Sequence, residues 1–366
     1  MEVVLSDVDQ LLTVVLVIRD RPIYTRRWMR WANEINFPFN ILIADGGKDE
    51  MLEAHLRDAL HYPTLRYRYL RYPLDITTKD YLSKISNALY QVETRYAVLA
   101  DDDDFWNVEA LRASIKFLEA HLDYSTCRGR NFFFVKNKKC VQKTQFMPGN
   151  INDIDEQTAS ARVMSIYKKQ AWTFYDVHRT IHYQRIFREV AEINTHFLPM
   201  TEVMIGLMDA AQGKLKRLDM PYLIREDGHG QSTSRNQDHF TRLMTGPSAE
   251  NLSQICKIVA HEVAQHEVVD AKALELTLHR AFLDFWAPSL LHHLYAFYDF
   301  SFLVVARNLR TWFINFLGKK NQKISLSLRK LSERLSERKA RKQCEVFFRK
   351  NPRDKQIFQM IREYLK

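Results

Sequence analysis

The sequence predicts an α/β fold in which a mostly parallel sheet is covered by helices on both faces. Three observations carry this. Short runs of β-branched residues and leucine (Leu11 to Ile18, Phe39 to Ala44, Tyr96 to Ala100) read as strands buried on both faces. Segments with helical periodicity alternate with them. Polar residues gather directly after the runs: Asp20-Arg21, Asp45-Gly46-Gly47, and the four consecutive aspartates Asp101 to Asp104. In sheets of this kind ligands collect at the carboxyl ends of the strands, so the three clusters are expected on one edge.

Taken in order, the first strand ends in charge and Pro22, and Thr25 to Ile35 follows as a helix carrying Trp28, Met29, Trp31 and Ala32 and closing before Pro38. The second strand stops at Asp45-Gly46-Gly47, where two glycines are free to take positive φ. Glu50 to Leu60 reads as a helix and Leu65 to Tyr72 as a strand. Thr78 to Val92 reads as a helix with Tyr81, Leu82, Ile85, Ala88 and Leu89 on one face. After the aspartates come a helix over Val108 to Leu122, a strand-like RNFFFVK, and a Pro/Gly/Asn/Asp-rich loop from Met147 to Glu156. Ala159 to Leu223 mixes helices and short strands. From Leu252 the chain reads as helix, broken near Pro288, Gly318 and Pro352. The expected organisation is a catalytic α/β body over 1–246, a helical extension over 247–317 and a basic amphipathic tail over 318–366.

The 366 residues carry 54 Lys+Arg against 44 Asp+Glu, and 46% are hydrophobic, which excludes a disordered, collagenous or small disulfide-rich chain. The charge is unevenly placed. Residues 318–366 hold sixteen Lys/Arg and five acids, +11 net, which leaves −1 for the other 317. Four widely spaced cysteines (Cys127, Cys140, Cys256, Cys344) suggest reduced thiols, and neither an export signal nor a membrane-spanning stretch is evident. A cytoplasmic location is expected.

Four adjacent carboxylates after an apolar strand raise one another's pKa unless something positive neutralises them. A divalent cation does this, and all-oxygen ligands without Cys or His point to Mg²⁺ or Mn²⁺. The alternative is that Asp103 or Asp104 caps the helix that begins at Val108. Capping accounts for one or two of the four.

Val17-Ile-Arg-Asp-Arg-Pro22 resembles the end of the first strand in family 2 glycosyltransferases. Ala44-Asp45-Gly46-Gly47 is similar to that family's second-strand turn, and Asp101 to Trp106 resembles its DxD segment. The resemblance covers about residues 10–235 and implies a GT-A fold, Rossmann-like, here with a C-terminal helical, basic extension. It implies that Asp45 contacts the base or ribose of a nucleotide-sugar and that Asp101, with Asp102 beside it, lies near the ribose. It further implies that Asp103, with Asp101, binds the metal. Asp20 and Arg21 stand where the family has Asn-Arg on the floor of the nucleotide pocket. Asn87 and Lys84 fall on a helix that places polar residues near the donor; Lys84 reads equally well as a solvated helix charge. Pro221 to Ser232 resembles the family's late segment, a strand ending in Arg-x-His followed by a Gly/Ser-rich loop, with wider spacing between Arg225 and His229; this implies His229 as a further metal ligand and Arg225 as a phosphate contact.

Inverting members take the acceptor proton with the Asp of a Glu-Asp pair at a helix start. Met200-Thr-Glu-Val203 puts Val203 at that Asp, so Glu202 is the candidate base, with Asp153, Asp155 and Glu156 as fallbacks. His261-Glu262 and His266 are one residue too far apart for a zinc-binding HExxH helix. His178 and His182, four apart, either line an acceptor pocket or pack. Phe302 to Phe316 and the Lys/Arg-rich segments after it read as amphipathic and basic. They suit an anionic membrane surface at the inner face of the cell membrane, or pack on the body; nucleic acid is not expected.

The reading is therefore a metal-dependent, inverting glycosyltransferase of surface polysaccharide synthesis. It would move a sugar from a nucleotide donor, a UDP-sugar first among them, to a glycan or glycolipid acceptor. A nucleotidyl or phosphoryl transferase on the same aspartates, or a non-catalytic transferase-like binding protein, are the competing readings.

Overall fold

A computed structural model describes residues 8–136, 141–146, 152–193, 195, 198–227 and 248–298. The strands are β1 (Leu12–Ile18), β2 (Asn40–Asp45), β3 (Tyr67–Arg71), β4 (Tyr96–Asp101), β5 (Asp104–Trp106), β6 (Tyr124–Lys136), β7 (Val141–Phe146), β8 (Val177–Arg179) and β9 (Lys214–Asp227). The helices are α1 (Pro22–Glu34), α2 (Glu50–Arg57), α3 (Thr78–Tyr90), α4 (Val108–Ala120), α5 (Ala159–Lys169), α6 (Thr180–Ile193), α7 (Leu198–Gln212), α8 (Ser248–Ala264) and α9 (Ala271–Tyr298).

One nine-stranded sheet runs β3-β2-β1-β4-β8-β6-β9-β5, with β7 added on β6. β1 to β4 are parallel, β6 and β9 run with them, and β5, β7 and β8 run against them. This is the GT-A form of the α/β fold. All seven residues of β1 are buried, as a strand covered on both faces requires. Its alternation divides the interior. Val14, Leu16 and Ile18 meet Trp28, Trp31 and Phe105 on one face, while Val15 and Val17 join Leu82, Ile85, Met204 and Leu207 on the other. Trp31 meets Trp28 and Phe105 edge-on at 5.6 and 5.2 Å, which fixes α1 against the sheet.

Helix starts follow local chemistry. Thr77 and Asp80 form a reciprocal capping box on α3, and Asp49 caps α2. Helix α1 starts at Pro22, three residues before the periodicity suggests, because proline is favoured in a first turn. Asn107, not Asp103 or Asp104, caps α4, since Asp104 is already committed to β5. That removes the capping alternative for the aspartates. The helix over 271–298 continues through Pro288, where the sequence predicts a break. Helices α8 and α9 put Ile255, Val259, Leu278 and Phe282 into the same core as Val163, Ile166 and Met204. Among the described residues no helix is long and apolar enough to cross a membrane. The basic tail, 318–366, and the stretch from Phe302 to Phe316 lie outside the described residues.

Candidate active site

Strand register brings the predicted clusters together. Ile18 pairs with Asp45 and Val17 with Asp101, so β1, β2 and β4 end side by side. Asp20 takes φ +47, the left-handed region that short polar side chains tolerate, and its Oδ1 accepts from the Lys48 amide at 2.6 Å. This pins the end of β1 to the turn after β2. A Cβ on Gly47 would lie 2.7 Å from the Asp20 backbone nitrogen, so the turn requires glycine there.

Asp45 is buried and heavily bonded. It accepts from the Gly47 amide at 2.7 Å, the Tyr69 hydroxyl at 2.6 Å and Arg71 Nη1 at 3.0 Å. Both carboxylate oxygens thus hold the turn and β3. Lys84 is not a solvated helix charge: it is 2% exposed, its Nζ donates to the Ile18 carbonyl at 3.0 Å and it pairs with buried Asp75. Burial pushes Asp75 up and Lys84 down, each toward its neutral form, and their mutual attraction offsets only part of that. The pair anchors α3 to the end of β1, and a Cβ on Gly46 would overlap the Asp75 carboxylate. Lys84→Met leaves buried Asp75 without its partner, so it should lower unfolding stability by about 3–5 kcal/mol. Urea denaturation followed by circular dichroism checks this, and an unchanged midpoint would contradict the anchoring role. Asn87 lies exposed on α3.

The aspartate run alternates across its turn. Asp102 is 2% exposed, accepts from Thr25 Oγ1 at 2.7 Å and lies 3.2 Å from Arg21 Nη1. Burial pushes its carboxyl up to about 7, with Arg21 and Thr25 pulling the other way. Asp103 pairs with Arg21 Nη2 at 2.6 Å. Asp104 faces Arg225 Nε at 2.9 Å across the β5–β9 ladder, in which the two residues are register partners. Asp101 accepts from the Tyr175 hydroxyl and lies 3.5 Å from Arg225 Nη2. Desolvation raises Asp101 and Asp104 in spite of Arg225. Among the described residues, two guanidinium groups thus pair with these four carboxylates, which leaves them short of positive charge.

Asp101, Asp103 and Asp104 each offer a carboxylate oxygen within 4.8 Å of the others. Three hard oxygen donors with a residual negative charge fit Mg²⁺ or Mn²⁺. Asp104 was missed by sequence reasoning, whereas Asp102, expected beside Asp101, turns away to α1. His229 lies outside the described residues.

Glu202 sits near the start of α7 and is exposed. The surrounding protein raises its carboxyl, Arg225 lowers it and Asp101 raises it further, so Glu202 feels the charges of the cluster. Val203, where the resemblance expects the base, is 2% exposed and part of the core. One step along a helix turns a side chain by about 100°, so only one of the two positions can face outward. Tyr81 and Tyr175 feel the Asp101 charge as well, and the Arg225 guanidinium stacks 4.3 Å over the Tyr175 ring. No motif announced Tyr175. Asp75, three residues past Tyr72, follows the same strand-end rule that found Asp20 and Asp45.

The other candidates are placed elsewhere. Asp153 accepts from the Arg217 amide at 2.7 Å and pairs with Lys216, and Glu156 pairs with Lys169 at 2.9 Å. Asp155 is exposed. His178 and His182 do not share a helix face, because His178 is in β8 and α6 begins at Thr180. His178 is fully buried, 3.0 Å from Asp209 and stacked on Tyr183. Glu262 pairs with Arg185 at 2.6 Å, and His266 falls beyond the end of α8.

No family model matches the chain, and no curated protein is similar to it in sequence. Among solved structures it is similar to S. aureus TarS 1-349 in complex with UDP-GlcNAc, at TM-score 0.50 and 14% identity, covering 75% of this chain and 72% of that one. The same protein in complex with UDP gives 0.48 and 13%, again over 75% and 72%. A longer S. aureus TarS chain gives 0.46 and 14%, over 75% of this chain and only 42% of that one. At such identities the likeness establishes the fold alone.

Proposed function

We propose that the chain is a metal-dependent, inverting glycosyltransferase that moves a sugar from a UDP-sugar or another nucleotide-sugar to a glycan or glycolipid acceptor. The observation that carries this reading is the convergence of Asp101, Asp103 and Asp104, with oxygens within 4.8 Å, together with a glutamate, Glu202, whose carboxyl feels the charges of Arg225 and Asp101. The fold shared with S. aureus TarS 1-349 in complex with UDP-GlcNAc supports a nucleotide-sugar as the donor.

In this reading a Mg²⁺ or Mn²⁺ held by Asp101, Asp103 and Asp104 supplies the positive charge that a departing nucleoside diphosphate needs. Arg21 and Arg225 add positive charge around the phosphates. Asp20, Asp45 and the Lys84–Asp75 pair hold the backbone of the pocket floor in place before the donor arrives. Glu202 accepts the proton of the acceptor hydroxyl as that oxygen attacks the anomeric carbon, and a single displacement inverts the centre. The basic tail would hold the enzyme at an anionic membrane surface.

Incubation with a panel of nucleotide-sugars tests the assignment. Slow release of free sugar and nucleoside diphosphate is expected, dependent on Mn²⁺ and abolished by EDTA. Release of pyrophosphate instead would mark nucleotidyl transfer. Absence of both turnover and nucleotide binding would leave only a binding protein.

A further inference from the structure

The two arginines that bracket the aspartates are held very differently. Arg225 projects from the end of the β5–β9 ladder, in register with Asp104, and stacks on Tyr175, itself hydrogen-bonded to Asp101. It is part of the sheet. Arg21 sits just before α1, where its backbone carbonyl accepts the Tyr24 and Thr25 amides, each at 3.0 Å. Its backbone is fixed, but its side chain remains 25% exposed, lies 4.3 Å over the Tyr24 ring, and has a buried Nε with no hydrogen-bond partner among the described residues.

Its two carboxylate partners are also unequal. Asp102 has a second donor, the Thr25 hydroxyl, and keeps it if Arg21 moves. Asp103 accepts from Arg21 Nη2 at 2.6 Å, and this is its one described side-chain ion pair. Asp103 is also one of the three carboxylates whose oxygens converge, whereas Asp102 is not. Arg21 therefore neutralises the one member of the converging set that can give up its partner without breaking the link between α1 and the aspartate run. A part-exposed ion pair of this kind is weak, so a divalent charge can replace it.

We propose that Arg21 is an exchangeable counter-ion: it holds Asp103 in the absence of a divalent cation, and when the cation takes that carboxylate it turns across Tyr24 to a phosphate of the bound nucleotide. The inference rests on the metal-dependent reading above. It adds that the cation and the nucleotide are coupled through a protein side chain as well as through their own contact.

The test reads binding, not turnover. Mn²⁺ affinity is measured alone by electron paramagnetic resonance, and UDP affinity by calorimetry at saturating Mn²⁺, for wild type and Arg21→Gln. The expected effects have opposite signs: Mn²⁺ binds Arg21→Gln about tenfold tighter and UDP about tenfold weaker. Misfolding cannot produce that pair, because it weakens both. Loss of a positive charge anywhere nearby also favours a cation, so the same measurement is made in the Asp103→Asn background. There the tightening caused by Arg21→Gln should vanish, since the carboxylate for which Arg21 competes is gone. Persistence of the tightening in that background reduces Arg21 to a long-range field and overturns the proposal, as does any other pair of signs in the first experiment. Failure of the wild type and Arg21→Gln alike to bind Mn²⁺ overturns the metal-dependent reading itself, and this inference with it.

Discussion

Asp103→Ala should abolish sugar transfer and Mn²⁺-dependent nucleotide binding while leaving the fold intact. The carboxylate belongs to the converging set, and its described ion pair is with Arg21 at 2.6 Å, both side chains reaching solvent. Such a pair contributes roughly 0–1 kcal/mol, so thermal unfolding should change little. The chemical cost is of another size. Removing one ligand of a catalytic charge array withdraws several kcal/mol from the transition state, or about 10³-fold or more in kcat/KM at 1.36 kcal/mol per tenfold. Asp102 and Asp104 would be poor substitutes in this experiment. They are 2% and 1% exposed and tie the run to α1 and β9, so their loss confounds catalysis with folding. Calorimetric titration of UDP with and without Mn²⁺, next to a turnover assay, reads the effect, and full activity in Asp103→Ala would sink the assignment.

The strands were legible because their signal is local: β1, β2 and β4 are buried on both faces, and a continuous apolar run ending in Asp or Gly can hardly be anything else. Their common edge followed from topology, and with it the approach of Asp20, Asp45 and Asp101. What could not be read was which way each side chain turns. Asp102 and Asp104 look identical to Asp103 in a run of four. Only the pairing of β5 with β9 brings Asp104 to Arg225 and into the converging set, and that pairing joins residues more than a hundred positions apart. Lys84 gave a misleading signal for the same reason. A lysine on an amphipathic helix reads as solvated, and only Asp75 and the Ile18 carbonyl explain its burial. Tyr175 had no periodicity or motif to mark it. It is in the site because the buried ion pairs of Asp176 with Arg128 and Arg217 fix its loop from behind.

Glu202→Gln should retain donor binding and lose transfer. Glutamine keeps the shape of the side chain and its place on α7 but cannot accept a proton. The expected loss is about 10²–10⁴-fold in kcat, the usual worth of a positioned base, with the nucleotide Kd within about twofold of wild type. The electrostatics set the accompanying pH profile. The surrounding protein raises the Glu202 carboxyl, Arg225 lowers it, and Asp101 raises it further. The ionised form is the base, so the rate should fall as pH drops through that raised value. The acid limb should therefore lie above the usual glutamate range of about 4.3. A carboxylate tuned upward in this way is a stronger base at neutral pH, while the nearby Arg225 keeps it ionised enough to act. The variant should lose this limb along with the rate. Asp153 and Glu156 are bonded to Lys216, Arg217 and Lys169 and cannot readily take over. If turnover or the acid limb survives in Glu202→Gln, the proton goes to another group and the start of α7 is not where the acceptor is activated.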